Sequence, residues 1–301
     1  MSRTTASAAD RAESARRQLL AGLDVEELTV DLAGAATAIL EAGDGPPLVL
    51  LHGPGEFKER WLRVIPGLSR THRVIAPDFP GHGRSGTHPE GLDADRVFAW
   101  LDALIDERCR DRPVLVGHIL GGSVAARYAV ARPDRLERLV LVDSLGLAKF
   151  RPSPRFALGL IRFMVRPGAR SHERFMDQCL ADAGTVERVL GDTWTALREY
   201  SIDRAKDSGV KAAMKTMMST VGVKPIPVAD LVSLSTPTEL AWGRHDRANR
   251  LQIAEAASTR YGWPLHVIDG AADDPPMEQP EQFVAAVLAG DHPPHEIADR
   301  A

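Results

Sequence analysis

The amino-acid sequence predicts an α/β protein whose mostly parallel sheet is covered by helices, and three observations carry that prediction. Short runs of β type alternate with longer runs of helical period along most of the 301 residues, the order expected of strand–helix–strand units. Two of the short runs, "PPLVLLHG" and "RPVLVG", are apolar almost throughout, as strands are when both faces are buried. The rhythm breaks once, from about residue 147 to 235, and then resumes, so a helical insertion interrupts one large domain.

In chain order, "MSRTTASAADRAESARRQLL" is charged throughout and lacks the apolar stretch of a secretory signal. Residues 1–22 read as a polar, solvated arm, helical or disordered, with contact to a partner chain as the alternative. "EELTVDLAG" and "ATAILEAG" predict two antiparallel opening strands, "PPLVLLHG" a buried strand, and "HRVIAPDFPGHGRSG" a strand running into a Gly/Pro-rich loop. In "DADRVFAWLDALIDERC", Val97, Trp100, Leu101, Leu104 and Ile105 make a helical stripe with Asp93 as its N-cap. "RPVLVG" and "ERLVLVDS" are strands flanking a helix from Leu120 to Ala131. The core then spans 23–146 and 236–290, closing with strands "TPTELAWG" and "PLHVIDG" and a helix near 281–288; 291–301 is a tail.

The insertion, 147–235, is helical in period, holds most of the methionines and is broken by "RPSP", "RPG" and "KPIP". Its place before the last strands suits a lid over a ligand pocket. Phe156, Phe163, Met164, Phe175, Met176, Met214, Met217 and Met218 either line that pocket or fill the lid's own core.

Composition removes several classes. A formal net charge of −4 points to neither nucleic acid nor an anionic membrane, and no apolar run is long enough to span a bilayer. Cys109 and Cys179 lack metal spacing and read as reduced, buried thiols of a cytosolic protein. No metal or cofactor is implied; the expected partner is a small molecule, with a homodimer possible.

The motifs, taken together and in order, resemble the α/β-hydrolase superfamily, in the lidded branch that includes epoxide hydrolases, haloalkane dehalogenases, carbon–carbon bond hydrolases and small esterases. "LLHGPGEFKERW" resembles the His-Gly oxyanion loop, "APDFPGHGRS" the loop after the next strand, and "VGHILGG" the nucleophile elbow. "WGRHD" resembles the acid-bearing loop and "DGAADDPPMEQPEQF" the histidine loop. The likeness runs from Leu28 to Leu288 and implies an eight-stranded, mostly parallel sheet with a helical cap.

Function has to be argued from the site, and there the pattern breaks three times. The elbow reads Gly117-His118-Ile119-Leu120-Gly121, with Ile119 where the resemblance calls for Ser, Cys or Asp. An isoleucine has no lone pair with which to attack, and Ser123, one helical turn on, should face away. In the histidine loop the chain reads Gly270-Ala271-Ala272-Asp273, so Asp273 stands in place of the base, or Asp274 if the register slips by one. A carboxylate cannot bridge nucleophile and acid as an imidazole does. Third, the residue after His52-Gly53 is Pro54, which has no N–H to give an oxyanion. Only the Leu120 N–H remains, and losing one donor costs roughly 100- to 1000-fold in rate.

Asp246 keeps the acid position of "WGRHD". If the layout of the family holds, Asp246 and Asp273 lie close together under an apolar pocket. Such a pair resists double ionisation and could work as an acid–base site without a nucleophile. The alternative is that Asp246 only ties its loop while Asp273 is a solvated loop residue. Glu56 and Lys58 could touch ligand or be exposed. His118 beside the tip reads as structural, as do His52, His82 and Arg84. Asp143 and Ser144 end a strand at the carboxyl edge of the sheet, where they could form pocket wall. His245 could supply an imidazole, although its side chain should point away from Asp246.

These readings converge on an enzyme that is not a hydrolase. It would hold a small, largely apolar molecule and promote a cyclase, lyase or isomerase step by shape, desolvation and acid–base help, with Ile119 as pocket wall. Two rivals stand beside it: a small-molecule receptor or carrier, and a hydrolase with relocated machinery.

Overall fold

The computed structural model describes residues 7–291. Eight strands, β1 (Glu26–Leu32), β2 (Ala35–Ala42), β3 (Pro47–Leu51), β4 (Arg73–Pro77), β5 (Val114–His118), β6 (Arg138–Val142), β7 (Thr238–Gly243) and β8 (Leu265–Ile268), form one sheet. Their order is β1-β2-β4-β3-β5-β6-β7-β8. β2 runs antiparallel to β1 and β4, and the strands from β4 to β8 pair parallel. β3, β5 and β6 are buried at every position, which is why their sequences are apolar without alternation.

The helices are α1 (Ala8–Leu20), α2 (Ile65–Leu68), α3 (Ala94–Arg108), α4 (Leu120–Ala131), α5 (Pro154–Val165), α6 (Ala169–Cys179), α7 (Ala183–Leu190), α8 (Asp192–Lys206), α9 (Ser208–Met217), α10 (Val228–Val232), α11 (Leu251–Tyr261), α12 (Pro275–Glu278) and α13 (Pro280–Leu288). On one face of the sheet α3, α4 and α11 pack Trp100, Leu104, Val124 and Ala254 against Ile39, Val49 and Leu115. On the other, α2 and α13 set Ile65, Leu68, Phe283 and Val287 against Leu50, Val74 and Val116. Asp93 caps α3 as its sequence requires, accepting from Arg96 N. The insertion between β6 and β7 supplies α5 to α10, and the chain passes through a π-turn at Met218–Gly222. Among the described residues no helix is long and apolar enough to cross a membrane.

The amino-terminal arm is not solvated. From residue 7 it forms α1, with Ser7 and Asp10 closing a capping box, and it packs on α8. Ala12, Ala15 and Leu19 are buried there beside Phe57 and Leu197. Arg16 reaches Glu27 at 2.7 Å and the fully buried Glu59 at 3.1 Å. The docking face is small, alanine and one leucine, so the charges dominate the sequence pattern. Residues 1–6, and all of the expected tail except Asp291, lie outside the described residues.

Candidate active site

The turn between β5 and α4 places Ile119 at φ 49°, ψ −100°, a conformation that a β-branched side chain adopts only when its surroundings impose it. They do so here. Ile119 N donates to Val142 O at 2.9 Å, while its carbonyl accepts from Ser123 N and Leu145 N. A Cβ on Gly121 would overlap the Leu51 carbonyl oxygen, so glycine is required by close approach. Ser123 faces away, as expected, and donates to Val221 O at 2.5 Å.

Ile119 opens onto a cavity of about 210 Å³ between the sheet and the insertion. Pro54 and Gly55 form one wall, and Phe156, Phe163, Phe175, Met176, Met214 and Met218 form much of the roof. Phe163 stacks on Phe175 with centroids 5.8 Å apart, and Phe156 meets the same ring edge-on at 5.5 Å. Met217, expected among these, points the other way, into the core under α4.

Most of the cavity lining is apolar; the charged residues on it are Glu56, Arg60, Arg204, Lys211, Asp273 and Asp274. Asp273 lines it, is buried, and its carboxyl has no hydrogen-bond partner among the described residues. Burial and then the negative charges of Asp246, Glu56 and Glu278 push its pKa well above the ordinary carboxylate range, with Arg60 opposing. Its loop is anchored firmly: Asp273 N donates to Cys179 O at 3.0 Å, and Glu278 accepts from Ala272 N and Ala181 N. His118 Nε2 donates to the Asp273 carbonyl at 2.6 Å, joining elbow to loop, while Nδ1 lies 3.6 Å from Glu56. Glu56 lines the cavity as well. Burial works against its charge, but Arg60 at 3.5 Å and His118 keep its carboxyl well below the usual range.

Asp246 is buried beneath this surface and does not line the cavity. Its Oδ1 accepts from Ala248 N at 2.6 Å and Asn249 N at 2.8 Å, whereas Oδ2 has no partner. Burial lifts its pKa to about 6 against the pull of those amides. Asp143 has the complementary arrangement: one oxygen accepts from Gly243 N at 3.0 Å and the other is unpartnered. Burial, then Asp246, then Asp273 raise its pKa well above the ordinary value, against the Gly243 amide. The expected pair is therefore a group of three carboxyls. A proton shared between Asp143 and Asp246 satisfies both of their free oxygens.

Several sequence expectations need correction. Asp143 and Ser144 are not pocket wall: a φ of 42° turns Asp143 under the sheet edge, and Ser144 Oγ donates to Leu145 O. Lys58 is neither exposed nor on the cavity; it is fully buried, 3.0 Å from Glu59 and 3.2 Å from both Asp78 and Glu27. The Leu120 side chain belongs to the core and does not line the cavity. His245 is exposed on its loop, away from the cavity. His52 and His82 are structural, His52 accepting from Phe79 N through Nε2.

Several cavity residues escaped the sequence reading, the polar ones being Arg60, His172, Ser201, Arg204 and Lys211. Arg60 pairs with Asp274 on the cavity wall; its four-residue spacing from Glu56 was the available signal. His172 on α6 also lines the cavity, buried, with Nδ1 unpartnered and its pKa lowered to about 3 by burial. Its register with Phe175, Met176 and Cys179 marks the inward face of that helix.

A parallel sheet, a strained elbow and a cap over a cavity at the carboxyl edge define an α/β-hydrolase-type protein. The chain belongs to the alpha/beta hydrolase family, which it matches over residues 48–286. It is 29% identical over 220 residues to the 2-hydroxy-6-oxo-6-phenylhexa-2,4-dienoate hydrolase of Comamonas testosteroni, covering 69% of this chain and 73% of that one. It is 26% identical over 273 residues to an uncharacterised protein of Mycobacterium tuberculosis, covering 84% and 77%. Among solved structures, a carboxylesterase from Bacillus subtilis superposes with a TM-score of 0.79 at 23% identity, over 94% of this chain and 97% of that one. A 2-hydroxy-6-oxo-6-phenylhexa-2,4-dienoate hydrolase from Rhodococcus sp. strain RHA1 gives 0.76 at 22%, over 88% and 98%. These two likenesses bear on the fold.

Proposed function

We propose that this family member is a non-hydrolytic enzyme acting on a small, largely apolar molecule, with Asp273 as general acid and no covalent nucleophile. One observation carries the reading: the elbow delivers Ile119 into the same cavity as the buried carboxyl of Asp273, whose pKa burial and neighbouring carboxylates raise well above the ordinary range. A neutral carboxyl in an apolar site can give a proton to a substrate heteroatom and, once ionised, take one back from carbon. That cycle suits an elimination, an isomerisation or a ring closure. Asp246 and Asp143 are positioning residues in this scheme, holding negative charge beneath Asp273 so that its proton stays on. Pro54 and Ile119 exclude the oxyanion and acyl chemistry that would compete.

The relatives whose names state an activity are hydrolases and a carboxylesterase, so the reading is tested against hydrolysis first. Activated esters should give no burst, and a fluorophosphonate should leave the protein unlabelled; a burst or a label would sink the proposal. A cell extract is then incubated with the protein and with Asp273→Asn. A metabolite consumed by the first and spared by the second supports the acid. A small molecule retained and released unchanged on denaturation would establish a carrier instead.

A further inference from the structure

The helix that roofs the cavity has a second apolar face. α5 turns Phe156, Leu160 and Phe163 inward, where they line the cavity. At 100° per residue, Leu158, Ile161 and Val165 fall on the opposite side, within about 60° of one another. These three are 46%, 58% and 70% exposed, and they are half of the six large hydrophobic residues that the described chain leaves exposed.

Charge is arranged around the same face. Between 149 and 172 the chain has Lys149, Arg151, Arg155, Arg162, Arg166 and Arg170 and no acid, although acids outnumber Lys and Arg overall, 41 to 37. All six cations are exposed, and none forms an ion pair with a described residue. Arg155, Arg162 and Arg166 run along one edge of the aliphatic stripe. Acids resume at Glu173 on α6.

We propose that the outer face of α5 docks on an anionic lipid bilayer, with the aliphatic stripe in the headgroup–acyl boundary and the arginines on lipid phosphates. A second copy of the chain is the poorer occupant, because a twofold pairing would set six unpaired cations against six more. A protein partner fits less well too: three aliphatic side chains with no aromatic anchor make a weak hot spot, while lipid needs no shape complementarity. The placement also joins surface to cavity. A single helix separates the bilayer from the pocket, so an apolar ligand would enter from lipid. The whole-chain net charge argues against membranes only because the acids lie elsewhere.

The test is co-sedimentation of the full chain with vesicles of phosphatidylcholine containing about 30% phosphatidylglycerol, against phosphatidylcholine alone. Binding should need the anionic lipid and fall at about 0.5 M salt. Arg155→Gln/Arg162→Gln/Arg166→Gln should weaken it on the order of 100-fold, and Leu158→Ser/Ile161→Ser/Val165→Ser should abolish retention. Every substituted position is exposed, and unchanged melting curves will show that both variants fold. Failure of the folded protein to bind anionic vesicles overturns the proposal, as does binding that both variants retain. A concentration-dependent dimer lost in the serine variant would reassign the face to self-association. Capture on polyglutamate beads without vesicle binding would reassign it to an acidic protein. None of these outcomes depends on whether Asp273 is catalytic.

Discussion

Asp246→Asn should flatten the decline of stability with pH. Burial raises the Asp246 pKa from 3.8 to about 6. Between those values the folded chain binds more protons than the unfolded one, so stability must fall as pH rises through that window. At 1.36 kcal/mol per pH unit the loss is about 3 kcal/mol. Unfolding entropy of about 2.1 cal/mol/K per residue makes this roughly 5 °C in melting temperature for a chain of 301 residues. Asparagine keeps the oxygen that accepts from Ala248 N and Asn249 N, and its amide can donate to the free oxygen of Asp143. The substitution thus replaces a titrating hydrogen bond with a permanent one. Melting the two proteins from pH 4 to 7.5 should show the curves separating by about 5 °C, the variant being the more stable at the upper end. Parallel curves would refute the account of two buried carboxyls sharing a proton.

Two further outcomes follow from buried charge and from the elbow. Lys58→Met removes the cation at the centre of Glu27, Glu59 and Asp78, leaving Arg16 as the cation on the buried Glu59 and, among the described residues, no side-chain cation on the buried Asp78. The cost should be about 3–5 kcal/mol, read as a melting temperature lower by roughly 5–8 °C. A change under about 1 kcal/mol would refute the dependence of these acids on the Lys58 cation. Ile119→Ser puts a hydroxyl on the strained turn but leaves it facing a carboxyl instead of an imidazole, with Pro54 still lacking an N–H. It should gain no turnover of activated esters over the parent, measured as nitrophenol release; clear turnover would show that Asp273 can serve as base to a serine.

The sheet, the strained elbow and the α3 stripe were legible in the sequence because local pattern determines them. Buried parallel strands are apolar throughout, and Val97, Trp100, Leu101, Leu104 and Ile105 are all buried at helical spacing. What escaped depends on distant partners. Lys58 reads as exposed because a lone lysine nearly always is; the adjacent Glu59 together with Glu27 and Asp78 from distant segments makes its burial possible. Asp143 reads as pocket wall from its place at a strand end, but its positive φ redirects the side chain. Met214, Met217 and Met218 share one helical stretch, and only the packing of α4 against the π-turn decides that Met217 belongs to the core. The face of α1 is written in alanines, which the helical period alone does not separate from a solvated surface.

The strained turn at Ile119 bears on how such sites should be read. Strain of about 1–3 kcal/mol at a non-glycine residue is usually taken as a sign of function. Here the residue carrying it can neither attack nor transfer a proton. The turn persists because the structure around it fixes it: three backbone hydrogen bonds hold Ile119, and Gly121 lies against the Leu51 carbonyl. Relaxing φ would break those bonds and separate α4 from β3. The strain therefore reports how the sheet and helix pack. The side chain at the tip is free to change while the turn is not. Under the function proposed above, the chemistry then falls to the buried carboxyl that lines the cavity, Asp273.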